Sequence, residues 1–300
     1  MDFTGYSQGN IEKIRRLSDI LQKIGQISFL RTRLSLYGGT ALNLLRLPAT
    51  YRLSIDIDFN YRESPKSDWG KERDLIDSHL KNILIELGYT NDDIKIQPSY
   101  PLSRFDIRYP LTQETRSSVK IETGYLRRIP ILRDDELCTY THPITENKTT
   151  ILTPRAEELF ANKFCTMLSR SKITENARDL FDVWIISKQD FNKELFMDII
   201  FIESILMKLD FKNTQKFATK KVEYEHLRPL IRPDIQLKTV FHEAQEYFSS
   251  ILQEALHTNW QTFIHRFNQE KMIPLDVLNK PNEINPAINY HPTLQRILQK

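Results

Sequence analysis

Apolar residues recur at helical spacing from Ile11 to Ile24, at Ile11, Ile14, Leu17, Ile20, Leu21 and Ile24, which predicts an amphipathic helix. Leu34–Tyr37 is a short apolar run that stops at Gly38-Gly39. Thr40–Leu47, with Ala41, Leu42, Leu44 and Leu45, predicts a short helix stopped by Pro48. From Leu53 to Tyr61 the period changes to two: Leu53, Ile55, Ile57 and Phe59 alternate with Ser54, Asp56, Asp58 and Asn60. That pattern predicts a strand with one apolar and one acidic face. Asp68–Leu87 predicts a second amphipathic helix, closed by Gly88 in the left-handed cap position. Strands are expected over Ile94–Pro98, Arg104–Tyr109 and Ser118–Tyr125.

The character of the chain then changes. Thr153 as cap and Pro154 in the first turn predict a helix running to Ser169. Further helices are expected over Thr174–Ser187, Phe191–Leu209, Ile235–Leu256 and Asn259–Glu270. The tail from Pro274 to Pro292 holds four prolines and is expected to wrap over the surface. Two domains follow from this reading: a mixed α/β domain over 1–150 and a helical domain over 151–300.

Composition narrows the classes. Of 300 residues, 40% are hydrophobic and 27% charged, which is enough for a core and excludes a disordered chain. The net charge of +3 is compatible with an RNA or nucleotide partner without requiring one. Cys138 and Cys165 lack metal-ligand spacing and read as buried thiols of a reducing compartment. The N-terminal residues have no signal-peptide core, and Phe196–Leu209 carries Asp198, Glu203 and Lys208, so no membrane span is expected and the location reads as cytoplasmic. His242, in Phe241–Glu246, lacks the spacing of a two-histidine zinc helix and reads as a surface or core residue. Lys220, Lys221, Arg228 and Arg232 could meet an RNA backbone, but a solvated face is the preferred reading.

The segments that carry chemistry are Tyr37-Gly38-Gly39-Thr40-Ala41-Leu42 and Arg52-Leu53-Ser54-Ile55-Asp56-Ile57-Asp58-Phe59. Two carboxylates two apart on a strand share a face and repel unless a cation lies between them. Mg²⁺ takes hard oxygens, commonly one or two carboxylates plus substrate phosphates, so Asp56 and Asp58 form a candidate metal platform. Glycines at a strand-to-helix turn let the backbone approach a phosphate, and Thr40 adds a hydroxyl. A Gly-Gly alone is a turn, and an Asp-x-Asp alone is often a solvated edge. Together, within about twenty residues, they suit phosphoryl transfer.

Gly-Gly-Thr-Ala-Leu followed by Arg-x-Ser-x-Asp-x-Asp-Phe resembles the AbiEii/MenT-type nucleotidyltransferases of the polymerase-β superfamily, whose usual opening is Gly-Ser. The resemblance covers roughly Leu36–Ser187. It implies a polymerase-β-like core with a mixed sheet, catalytic aspartates at Asp56 and Asp58, and Mg²⁺ or Mn²⁺. It also implies a third acid on a neighbouring strand, with Glu122 in Val119–Gly124 as the candidate and Asp106 as the rival. Two stretches extend the likeness: Thr153–Lys163, with Arg170 two turns on, and Ala177-Arg178-Asp179-Leu180-Phe181-Asp182. They imply Lys163 on the nucleotide's phosphates and Asp182 in the network that positions it, with Arg178 and Asp179 orienting the pair. On this reading Gly38, Gly39, Thr40, Arg52 and Ser54 bind the NTP. Asp56, Asp58 and Glu122 hold metal, and an acceptor hydroxyl displaces pyrophosphate. The resemblance further implies a toxin of a type IV toxin–antitoxin pair that modifies the 3′ end of tRNA and is countered by an antitoxin protein. Two alternatives stay open: a same-fold transferase acting on a small-molecule or protein hydroxyl, and a non-catalytic binding module.

Overall fold

The structure, a computed structural model, describes residues 3–47, 51–63, 68–112, 115–169, 173–209, 222–257 and 259–299. The chain divides into two units. One comprises Met1–Ile129 with Asp135–Pro154, and the other Pro130–Asp134 with Arg155–Lys300.

In the first unit, the N-terminal apolar stripe folds as helix α1 (Gln8–Gln26), begun by Ser7, whose hydroxyl accepts from the Asn10 amide at 3.3 Å. A short helix α2 (Ser28–Arg33) leads into strand β1 (Leu34–Tyr37), which is buried throughout. The helical turn after it is α3 (Gly38–Ala41), widened into a π-type segment over Leu42–Arg46. Pro48, expected as its stop, lies outside the described residues. The acidic strand is β2 (Asp56–Tyr61) and alternates half-buried and buried positions, as its period of two predicts. Helix α4 (Trp69–Glu86) is capped by Asp68, which accepts from the Gly70 amide at 3.1 Å, and Gly88 beyond it takes φ +90°.

Strands β3 (Ile94–Ser99), β4 (Leu102–Pro110) and β5 (Arg116–Gly124) follow as a meander. Two further strands were not expected: β6 (Glu136–Thr141) and β7 (Lys148–Thr153). Among the described residues the sheet has seven strands in the order β3-β4-β5-β2-β1-β7-β6. It is mixed, with β1–β7 and β2–β5 parallel and β1–β2, β3–β4, β4–β5 and β6–β7 antiparallel. Ile57, Phe59, Tyr61, Phe105, Ile107, Tyr109, Val119 and Ile121 point to one side and are almost wholly buried. Each such side chain contributes on the order of 1.5–3 kcal/mol, so a slip that turned the aspartates inward would forfeit most of this core.

Thr153 is not the expected helix cap. It ends β7, and its hydroxyl donates to the Leu36 carbonyl at 2.9 Å. Helix α5 (Ala156–Ser169) begins later, and Arg155 accepts from the Leu159 amide at 3.1 Å. The second unit continues with α6 (Ile173–Ser187), α7 (Lys193–Met207), α8 (Leu237–His257), α9 (Trp260–Glu270) and a last short helix α10 (Pro292–Leu298). The proline-rich tail runs through short turns at Leu275–Val277 and Pro286–Tyr290 and buries Ile273, Leu278, Ile284, Ile288 and Leu294. The Asp198 carboxylate of α7 accepts from the Asn279 amide and side chain at 3.1 Å each and from the Lys280 amide at 2.8 Å. Leu132 pairs with Ile284 in an isolated bridge, so the excursion 130–134 is stitched to this tail.

Candidate active site

Asp56 and Asp58 lie on one face of β2, and the parallel register with β5 sets them beside Lys120 and Glu122 respectively. The turn after β1 approaches the same strand. Gly38 has φ +73°, and a Cβ there would lie 2.5 Å from Asp58 Oδ2. A side chain would therefore meet left-handed strain and the carboxylate together. At Gly39 the Cβ position is occupied instead by Arg52 Nη2 at 2.5 Å and Ser54 Oγ at 2.9 Å. The two glycines make room for groups from the strand and its approach.

Thr40 is fully buried. Its hydroxyl lies 2.9 Å from Ser54 Oγ and donates to the Asp56 carbonyl. The structure thus uses this hydroxyl to brace the turn against β2, where the sequence reading offered it to a phosphate. Gly38 stays partly exposed, whereas Gly39 is buried. Arg52 is 2% exposed and donates to the Leu53 carbonyl at 3.1 Å, placing a positive charge beneath the turn. Asn43, which sequence reasoning passed over, is buried and donates to the Gly39 carbonyl at 2.8 Å. An amide in the run Leu-Asn-Leu-Leu was its only signal.

Glu122 shares the face and row of Asp58 but also meets Lys120 at 3.3 Å and Arg104 at 3.9 Å. Asp106, its rival, is on β4, one strand farther from β2, and accepts from Arg104 at 2.6 and 2.9 Å and from Gln97 at 3.4 Å. Asp106 chiefly, with Glu122 and Asp56 behind it, raises the pKa of the Arg104 guanidinium against the opposing effect of desolvation. Among the described residues no three His, Cys, Asp or Glu side chains converge into a ready metal cage. The donor set still suits a hard cation that completes its coordination with substrate phosphate and water: two carboxylates two apart on one face, with Asp58 filling the space above Gly38.

The second unit gathers Lys163, Asp179 and Asp182. The Lys163 ammonium is 3.0 Å from Asp182 Oδ2 and 3.5 Å from Asp179 Oδ1, and all three residues are buried. Asp179, expected to help orient the Lys163–Asp182 pair, meets the ammonium directly. Removing one partner of such a buried set costs roughly 3–5 kcal/mol. Arg178, at intermediate exposure, adjoins them in sequence, while Arg170 lies outside the described residues.

Other sequence signals resolve locally. Arg228 donates to the Ile235 carbonyl at 2.7 Å and Arg232 pairs with Asp234 at 2.6 Å. Lys220 and Lys221 lie outside the described residues. His242 pairs with Glu246 at 3.5 Å on an exposed helix face, and both cysteines are free. Among the described residues no helix is long and apolar enough to cross a membrane.

Comparison with known proteins adds three findings. The profile of the family described as nucleotidyl transferase AbiEii toxin, type IV TA system, matches residues 19–298. No curated protein matches the chain. Among solved structures, the fold is similar to MenT4, a nucleotidyltransferase toxin from Mycobacterium tuberculosis H37Rv, with a TM-score of 0.61 and 16% identity over 87% of this chain and 90% of that one.

Proposed function

Since the chain belongs to the AbiEii family of nucleotidyltransferase toxins of type IV toxin–antitoxin systems, we propose that it moves a nucleoside monophosphate from an NTP to the 3′-terminal hydroxyl of tRNA, with Asp56 and Asp58 holding the divalent cation. Family membership brings an NTP substrate and a cognate antitoxin with it. The observation that carries the assignment is the single face shared by Asp56 and Asp58, with Gly38 reduced to a bare backbone against Asp58.

A bound Mg²⁺ or Mn²⁺ supplies Lewis-acid polarisation of the phosphate and neutralises charge there. The remaining work belongs to the chain. Asp56 and Asp58 provide hard oxygen donors. The partly exposed Gly38 backbone lets a phosphate come close, and the Arg52 charge behind Gly39 favours an anion at the turn. Ser54 and Thr40 fix that turn to the strand. The acceptor oxygen forms a bond to the α-phosphorus as the bond to the bridging oxygen breaks and pyrophosphate departs. Glu122 is the carboxylate we assign to the departing hydroxyl proton, because it pairs in register with Asp58 while Asp106 is held by Arg104 and Gln97. We assign Lys163 to the nucleotide's phosphates, with Asp182 and Asp179 setting its position. The place of action is the cytoplasm, where NTPs and tRNA meet.

The test is transfer of label from each of the four NTPs to purified tRNA, to total protein and to small hydroxylic compounds. Asp56→Ala and Asp58→Ala should each lower transfer about 10³-fold, because several kcal/mol of charge stabilisation are lost. Full activity in both variants would refute the metal platform. Label appearing only on protein or small molecules would refute the tRNA acceptor.

A further inference from the structure

The polar face that presents the aspartates does not end at β2. Backbone register carries it across β5, β4 and β3 in two rows. One row runs Asp56, Lys120, Asp106, Lys95, and the other Asp58, Glu122, Arg104, Gln97. Arg108 continues the β4 side of the same face, opposite Ser118. At a strand spacing of about 4.8 Å, the row from Asp56 to Lys95 extends roughly 14 Å. On β3–β5 the face carries five cations, Lys95, Arg104, Arg108, Lys120 and the Asp93-paired Arg116, against the two carboxylates Asp106 and Glu122. Those carboxylates are taken up by Arg104 and Lys120, whose side chains remain 40% and 28% exposed. Lys95 and Arg108 are exposed and form no ion pair among the described residues.

We propose that this face is the track along which the phosphodiester backbone of the polynucleotide acceptor lies as its end reaches Asp56 and Asp58. The inference rests on reading those aspartates as the transfer centre. Charge complementarity selects the occupant. A polynucleotide offers a charge at every repeat, and guanidinium groups bind phosphate with paired N–H donors. A protein acceptor would need an apolar patch at the middle of its contact, and neither row contains an apolar side chain. Asp106 holds the Arg104 guanidinium in place along the track.

The experiment uses the full chain and a fluorescein-labelled single-stranded RNA of mixed sequence, with affinity followed by anisotropy from 0.1 to 1 M salt. Lys95→Ala combined with Arg108→Ala should reduce the slope of log affinity against log salt by about 1.4, at about 0.7 per phosphate contact on a single strand. The advantage of wild type over the variant should then shrink about 25-fold between 0.1 and 1 M salt. Binding of a fluorescent NTP analogue and the melting temperature should stay unchanged. An unaltered RNA slope, an equal loss of NTP affinity, or displacement of the RNA by polyglutamate at matched charge would overturn the track. Transfer to a non-nucleic acceptor by a wild type that binds no RNA would also overturn it, and would leave the transferase reading intact. A wild type that consumes no NTP would instead sink the transferase reading itself.

Discussion

Gly38 and Gly88 both adopt left-handed backbone, yet they differ in what stands beside them. An added Cβ at Gly88 meets nothing within 4 Å, whereas at Gly38 it meets the Asp58 carboxylate. Each Gly→Ala substitution should cost about 1–2 kcal/mol of stability from backbone strain, or roughly 2–4 °C in melting temperature per kcal/mol. Only Gly38→Ala should also abolish NMP transfer, because its methyl group displaces Asp58. Equal transfer by the two variants would show that Asp58 tolerates the shift. At this scale the acidic strand was legible, because a period of two puts Asp56 and Asp58 on one side whatever lies around them. The burial of Thr40 and Arg52 was not, since it depends on how closely the turn lies on β2, which no local pattern encodes.

Helix α7 and the C-terminal segment meet through Asp198. Burial raises the pKa of this carboxyl above its ordinary value of 3.8, with hydrogen bonds from the Asn279 and Lys280 amides and the Asn279 side chain opposing the rise. The folded state therefore binds the proton more readily than the unfolded chain. That contribution to stability is full below pH 3.8 and is lost as pH rises through the folded value. Wild type should accordingly gain stability relative to Asp198→Asn on acidification through this range, as urea denaturation would register; a pH-independent difference would contradict the shift. Asp198→Ala strands three donors, at about 1–3 kcal/mol for each group left buried and unpaired. It should speed proteolysis within 273–299 while the rest of the chain keeps its protection. Among the strands, β6 and β7 escaped the sequence reading. Lys148–Thr153 offers threonines where apolar residues would mark a strand, and Thr153-Pro154 mimics a helix start. β7 is nonetheless held by its parallel pairing with β1, a partner more than a hundred residues away that no short window contains.

Across the molecule, the candidate cation would be a visitor to a finished fold. Among the described residues no three His, Cys, Asp or Glu side chains group into a ready metal cage. Chelation with EDTA should stop NMP transfer, and added Mg²⁺ or Mn²⁺ should restore it. The melting temperature without nucleotide should move by less than about 2 °C, well short of the loss expected when a structural metal is removed. A collapse of the melting transition would mean that the ion builds the fold. The mixed sheet followed by helices was readable because long amphipathic helices and alternating strands dominate the sequence. The excursion 130–134 was not readable, since its Leu132 finds Ile284 at a distance only folding can close. That excursion means the backbone passes from one unit to the other three times, at 129–130, 134–135 and 154–155. A protease that nicks any one of these junctions leaves two covalent tethers intact, and a gene split at 154–155 would strand five residues of the helical unit on the wrong polypeptide.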